Sequence, residues 1–430
     1  MFEVNLESLY NIEYRDKFID DILKEAVKNL YIRKLDFLDY LYNLYDTIKP
    51  DDFLLRTYIF YGISVIYIYI ILSTASLNIT DEYLNQIIKY DELIQKERMN
   101  SQNPFVNLFS GIIIFQLDIG KAMKMCSMGI YEVINSKYID NPLRFIQGQL
   151  WGCHLFTNPI NFKDIIIKKN NEPTNENSIK THTNKLNKKE LFLINYTCDV
   201  VYFLALAENT INILLGCEDI EKFGIFIHIV YTEKQFNNKD LIKIVDEKIN
   251  DIINLVTNKS TILFTYETTN AIDKAIFTAI RFTNMSKFLN LTNKDIIQMD
   301  IDIKHLDGMN FIEFYNKYKD NDFALFKNTG LPWQKFAAGF SYWGNNKVSR
   351  IFSDSFNKIF KVVYDNNKVS NWFVDQYCLY LTYLFIIQNS YSELSIGSVW
   401  TFLKKIPGIF EAGFKVEKIN FIKDKYKDYL

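Results

Sequence analysis

Along roughly the first 160 positions, apolar residues recur three and four apart, as in Phe18, Ile22, Ala26 and Leu30 and then Leu35, Leu38 and Leu41. That is the period of helices that bury one face. Glu82 to Glu97 and Phe105 to Asn135 read as further helices, the second interrupted near Leu117-Asp-Ile-Gly120. No fixed repeat survives over three units, so the pattern predicts an all-α domain over 1–165 without a specific repeat family. Between Lys168 and Glu190 almost nothing is apolar, and such a stretch cannot offset its ordering entropy by burial. It reads as a polar linker over 166–190, with His182 a solvated loop residue.

Beyond the linker the period changes. Asp199 to Leu206 reads as a strand, followed by a helix to about Asp219 and a second strand over Gly224 to Val230. Ile242 to Val256 follows as an amphipathic helix, Ser260 to Tyr266 as a strand, Ala271 to Leu289 as a helix and Asp295 to Met299 as a strand. Strands alternating with helices predict an α/β domain over 191–430 with an open, mostly parallel sheet, whose ligands bind beyond the carboxyl ends of its strands. His228 falls within a strand and reads as a core histidine.

Composition narrows the class. The chain has 430 residues, 49 basic against 51 acidic for a net charge of −2, with 48% hydrophobic and 23% charged residues. Those values fit a folded protein and speak against nucleic-acid binding through bulk charge. The 16% aromatic content, from 35 Phe, 28 Tyr and 5 Trp, accompanies abundant Ile, Asn and Lys and matches an AT-rich coding bias. Five dispersed cysteines, with no C-x-x-C, favour a reducing, cytoplasmic setting. The mixed-charge N-terminus lacks the order of a signal peptide. Thr57 to Thr80 carries no charge and is long enough to span a bilayer. Tyr61, Tyr67 and Tyr69 fall in its middle rather than at its ends, however, which favours a buried core helix over a membrane contact through 57–80.

The strongest chemical signal is Met299-Asp-Ile-Asp302. Side chains alternate along a strand, so two acids one residue apart at its end would share a side. Their repulsion is relieved by a hard divalent cation such as Mn²⁺ or Mg²⁺, with phosphate supplying further oxygens. Signatures of P-loop NTPases, Rossmann dehydrogenases, α/β-hydrolases and zincins are absent from the sequence.

Together with its flanks this acidic motif resembles that of the GT-A-fold nucleotide-sugar glycosyltransferases, especially the family-8-like group. Four segments within about 198–390 carry the resemblance: Ala207-Glu208-Asn209 after the first strand, Arg281 on a helix, Asp300 and Asp302, and finally Ala338-Gly339 with Asp375-Gln376. The resemblance implies a UDP-sugar donor and contact with its base by Ala207, Glu208 and Asn209. It places Arg281 at the diphosphate, a metal on Asp300 and Asp302, the donor-sugar pocket at Ala338 and Gly339, and Asp375 and Gln376 at the reacting centre. Trp333, Phe336, Tyr342 and Trp372 are expected to line that pocket. Ala337 and Ala207 stand where the family has Asn and an acid, and no His-x-x-Gly-x-x-Lys segment occurs near the C-terminus. Lys404 is the nearest counterpart of that segment's diphosphate contact. A non-catalytic helical interaction protein fused to a degenerate GT-A domain is the alternative.

Overall fold

A computed structural model describes residues 17, 21, 35–68, 81–100, 103–114, 118–137, 179–187, 189–270, 273–303, 309–327, 335–366, 373–388, 395–399 and 415–427. The chain forms two compact units. The first comprises Met1–Asn161 with Asn328–Lys335 and Asp365–Tyr377, and the second comprises Phe162–Lys327, Phe336–Tyr364 and Cys378–Leu430.

Within the first unit the described helices are α1 (Asp36–Thr47), α2 (Phe53–Ile66), α3 (Asp81–Asn100), α4 (Phe105–Ile114) and α5 (Ile119–Ile134). The uncharged stretch is a core helix as far as it is described: every residue from Leu55 to Ile66 in α2 is buried. No described helix is long and apolar enough to cross a membrane; residues 69–80 lie outside the described set. The interruption near Asp118 is real, because its side chain accepts from the Lys121 N–H at 2.9 Å and so starts α5.

Helices α4 and α5 cross at two glycines. A Cβ on Gly129 would lie 2.2 Å from the Leu108 nitrogen, and one on Gly111 would lie 2.6 Å from Cys126 Sγ and 2.8 Å from the Ala122 oxygen. The obstruction at Gly129 is backbone, so no rotamer change relieves it. Gly129→Ala gains about 1 kcal/mol of helix propensity but forces two helices apart, and overpacking costs about 1–3 kcal/mol. Because the obstruction is backbone, the cost sits near the upper end of that range and the expected net loss is about 2 kcal/mol, read as a lower urea midpoint at an unchanged slope.

The second unit is built on one eight-stranded sheet in the order β1-β4-β3-β2-β5-β7-β6-β8. Its strands are β1 (Lys180–Asn184), β2 (Phe192–Asp199), β3 (Phe223–Thr232), β4 (Thr261–Thr269), β5 (Asp295–Met299), β6 (Phe323–Lys327), β7 (Phe336–Trp343) and β8 (Ile396–Ser398). The central β4, β3, β2 and β5 are parallel, β8 runs parallel to β6, and β1 and β7 pair antiparallel with their neighbours. The helices are α6 (Val200–Leu214), α7 (Glu233–Phe236), α8 (Lys239–Val256), α9 (Lys274–Thr283), α10 (Met285–Thr292), α11 (Phe311–Tyr318), α12 (Lys347–Asn366), α13 (Val374–Gln388) and α14 (Lys415–Lys425), with the last two residues of α12 and the first four of α13 counted in the first unit. Residues of α6, α8, α11 and α14 share a core with Ile194, Tyr196, Ile225, Ile227, Phe264 and Ile297 on one sheet face. On the other face Phe288 of α10 packs on Phe226 and His228, and Phe282 of α9 on Trp343. Helices on both faces of a mostly parallel sheet are the layered α/β arrangement that the alternating pattern predicts.

Three local expectations are corrected. Val200 to Leu206 is helix rather than strand, because the first central strand is Phe192–Asp199 and Asp199 caps the helix after it. The polar stretch contains β1, which adds to β4 through backbone pairing and needs little apolar burial at the sheet edge. His182 lies on that strand, with its Nε2 2.9 Å from Asp246 Oδ1.

Candidate functional site

The order of the central strands determines where a ligand crevice opens. From β2 the chain proceeds to β3 and β4 on one side, and then returns to place β5 on the other side of β2. The connections on either side of β2 therefore diverge, and the carboxyl ends of β2 and β5 flank the switch point where open α/β sheets bind ligands. The order of β4, β3, β2 and β5 matches half of a doubly wound fold. Antiparallel β7 beside β5 departs from the dinucleotide-binding order, in keeping with the missing glycine fingerprint.

At this end of β5 the chain makes an acidic turn. The strand ends at Met299, so strand alternation does not set the side on which Asp302 lies; a turn at Ile301 and Asp302 does. Three bonds fasten that turn. The Asp300 N–H donates to the Gly339 carbonyl on β7 at 2.9 Å, the Ile303 N–H donates to the Asp300 carbonyl at 3.4 Å, and Thr210 Oγ1 of α6 donates to the Ile301 carbonyl at 2.7 Å. Ile301 is buried while Asp300 and Asp302 are half-buried, so the apolar middle residue anchors the turn and its two acids stay near the surface.

Arg281 meets this turn. Its Nη1 donates to Asp300 Oδ1 in an ion pair, with the guanidinium side chain 8% exposed and the carboxylate 35%. Arg281 occupies the last turn of α9, where a cation also complements the helix dipole. Gly339 lets the strand pass close to the turn: a Cβ there would stand 2.8 Å from Asp300 Oδ2 and push the carboxylate aside. Ala338 beside it is buried.

Other residues singled out from the sequence lie elsewhere. Ala207, Glu208 and Asn209 are in the body of α6 and form no turn after a strand. Ala207 is buried and Glu208 pairs with Lys248 of α8. Asp375 and Gln376 open α13 within the first unit, where Asp375 is buried and the Gln376 N–H donates to Asp375 Oδ1 at 2.9 Å. Phe373, just before them, has a φ of 63°, a strained conformation of the kind that concentrates at functional sites. Tyr342 is wholly buried and donates to Asp295 Oδ2 at 3.0 Å, a contact at the opposite end of β5 from Asp300, so it is a structural residue and no pocket wall. Phe336 packs on Tyr380 and Tyr383. Trp333, Trp372 and Lys404 lie outside the described residues. Among the described residues no three His, Cys, Asp or Glu side chains converge to hold a metal.

Asp199, at the carboxyl end of β2, escapes the sequence reading because an apolar run from Phe192 to Leu206 crosses the strand–helix junction there. An Asp immediately before the first residue of an apolar helical run is the available signal of an N-cap. Its Oδ1 accepts from the Tyr202 N–H at 3.0 Å. Burial pushes its carboxyl above the usual range, against the opposing pull of the Tyr202 and Val201 N–H groups and of Lys423 and Lys274. The native state thus holds this proton more tightly than the unfolded chain. Stability falls as pH rises from the unfolded value of about 4 through the raised native one. Asp199→Asn keeps an oxygen for the cap and removes the ionisation. It is expected to raise the thermal midpoint at pH 7 and to leave it unchanged below about pH 4; equal midpoints at pH 7 would contradict the burial argument.

No protein-family profile matches the chain, and no curated protein matches it in sequence. Among solved structures, the apo form of mouse xyloside xylosyltransferase 1 is similar over 49% of this chain and 84% of its own, at 11% identity and a TM-score of 0.29. At that identity and score the likeness has no bearing on activity.

Proposed function

We propose that the second unit is a glycosyltransferase that moves a sugar from a nucleoside-diphosphate donor, in the simplest case a UDP-sugar, to an acceptor hydroxyl. One observation carries the reading: Arg281 of α9 is paired with Asp300 on a fastened turn beside the switch point of the sheet. A diphosphate leaving group gathers negative charge in the transition state, and its neutralisation by preorganised groups is the largest task of such a site. Arg281 supplies a permanently charged planar donor suited to phosphate oxygens. Asp300 and Asp302 on the acidic turn would serve as oxygen donors, and the close passage of Gly339 leaves Asp300 room.

A divalent cation, Mn²⁺ or Mg²⁺, would be held by Asp300 and Asp302 and would supply further neutralisation of the diphosphate. Two carboxylates suit such a cation, which takes its remaining oxygens from phosphate and water. Ala207, Glu208 and Asn209 lose the role of base contact because they lie within a helix; the strand-end position they were expected to hold belongs to Asp199. Asp375 and Gln376 keep, from the resemblance alone, the role of orienting or stabilising the donor sugar, and Lys404 that of a diphosphate contact.

The reading is tested by incubating the full chain with a panel of nucleoside-diphosphate sugars and Mn²⁺ and measuring nucleoside diphosphate release. At least one donor should be turned over, and Arg281→Ala should slow it about 10²- to 10³-fold, the loss typical of removing one preorganised electrostatic stabiliser. A chain that turns over none of them and binds no nucleoside diphosphate would support the helical interaction protein with a degenerate transferase domain instead.

A further inference from the structure

The sequence from Ala271 to Leu289 contains neither glycine nor proline and reads as one helix, yet the structure breaks it into α9 and α10 at Asn284. The cause is tertiary. Asn284 sits at the edge of the right-handed helical region, with φ −99° and ψ 0°, and its buried side chain donates through Nδ2 to Glu267 Oε1 on β4 at 2.8 Å. Glu267 is itself buried, with His228 Nε2 3.5 Å from the same oxygen, and His228 Nδ1 lies 2.7 Å from Thr265 Oγ1. From the other side Ser353 of α12 donates to the Phe282 carbonyl at 2.7 Å and accepts from the Ser286 N–H at 2.9 Å. The start of α9 is tied to the same α12, where Tyr364 donates to Asp273 Oδ2 at 3.0 Å.

The elbow follows Arg281 by three residues, so its angle sets the direction in which the last turn of α9 sends the guanidinium. We propose that Asn284, gripped by Glu267 and seconded by Ser353, is a positioning residue that aims Arg281 at Asp300 by enforcing this break. Without the Asn284 side chain α9 and α10 can join into the single helix their sequence favours, and Arg281 turns away from the acidic turn. The geometric claim stands alone; only its consequence for donor binding rests on the proposed transferase reading.

A double-mutant cycle on Arg281→Ala and Asp300→Ala, followed by urea unfolding, measures the coupling of the pair without any ligand. Repeated in an Asn284→Ala background, the coupling should fall about fivefold or more as a ratio of unfolding constants. A merely structural Asn284 would lower stability and leave the coupling intact, which would overturn the proposal. Should Asn284→Ala fail to fold, Ser353→Ala removes the second clamp and should lower the coupling about twofold; an unchanged value overturns it equally. Glu267→Gln keeps an acceptor for Asn284 and should retain the coupling. In parallel, UDP affinity in the presence of Mn²⁺ should weaken about tenfold in the Asn284→Ala protein. If the wild-type chain binds no UDP, the transferase reading fails while the cycle still decides this one.

Discussion

On the proposed transferase reading, Asp300→Ala is expected to slow sugar transfer about 10²- to 10³-fold and, more than Arg281→Ala, to destabilise the second unit as well. The asymmetry follows from exposure. Asp300 is about one-third open to water and Arg281 nearly closed from it. Removing the aspartate therefore takes one carboxylate from a buried cation, whereas removing the arginine leaves a carboxylate that water can reach. Loss of a hydrogen bond to a charged buried group costs about 1.5–3 kcal/mol, and the solvent screening of Asp300 keeps the figure below the 3–5 kcal/mol of a wholly buried pair. Arg281→Ala should cost clearly less in stability but about as much in rate, near 10²- to 10³-fold. Equal stability losses in the two variants would contradict the described burial.

The largest stability effect is expected from Glu97→Ala in the first unit. Glu97 on α3 is almost wholly buried and receives donors from three other segments. Tyr45 Oη of α1 donates to Oε1 in a short contact, Arg56 Nη2 of α2 to the same oxygen at 3.0 Å, and Asn103 Nδ2 just before α4 to Oε2 at 2.6 Å. Arg56 also lies over the Tyr45 ring, 4.7 Å from its centroid, and burial is the main reason that the Tyr45 phenol is pushed far above its usual range and stays a donor. Truncating Glu97 strands the Arg56 cation in the core, a change worth about 3–5 kcal/mol. Glu97→Gln, which keeps an oxygen for the donors, should lose less. Urea unfolding followed by circular dichroism at 222 nm checks both, and a loss below about 1 kcal/mol for the alanine variant would show the cluster to be solvated.

Periodicity made much of this architecture legible. The buried α2, the break before α5, the amphipathic α8 and the limits of β5 follow from the spacing of apolar and polar residues, because each element is either one-faced or bounded by a turn. Legibility failed where tertiary contacts overrode local pattern. The junction at Asp199 is invisible because strand and helix on either side are both buried, and only a capping carboxylate marks it. The elbow at Asn284 carries no breaker, and side chains far along the sequence, Glu267 and Ser353, create it. Strand β1 is too polar for a hydrophobic period to show. The pairing of Arg281 with Asp300, on a turn fastened by Thr210 and Gly339, emerges only when β5, β7 and α6 are seen together. The aromatic wall expected around the donor pocket dissolves at Tyr342 and Phe336, whose contacts lie in the core.

Calorimetric titration of UDP into the full chain, with and without Mn²⁺, tests the central claim most directly. The account predicts binding that requires the metal and is lost in Asp300→Ala under conditions where that variant remains folded. Binding that survives Asp300→Ala undiminished, or a folded wild-type chain that binds no nucleoside diphosphate at all, would contradict it.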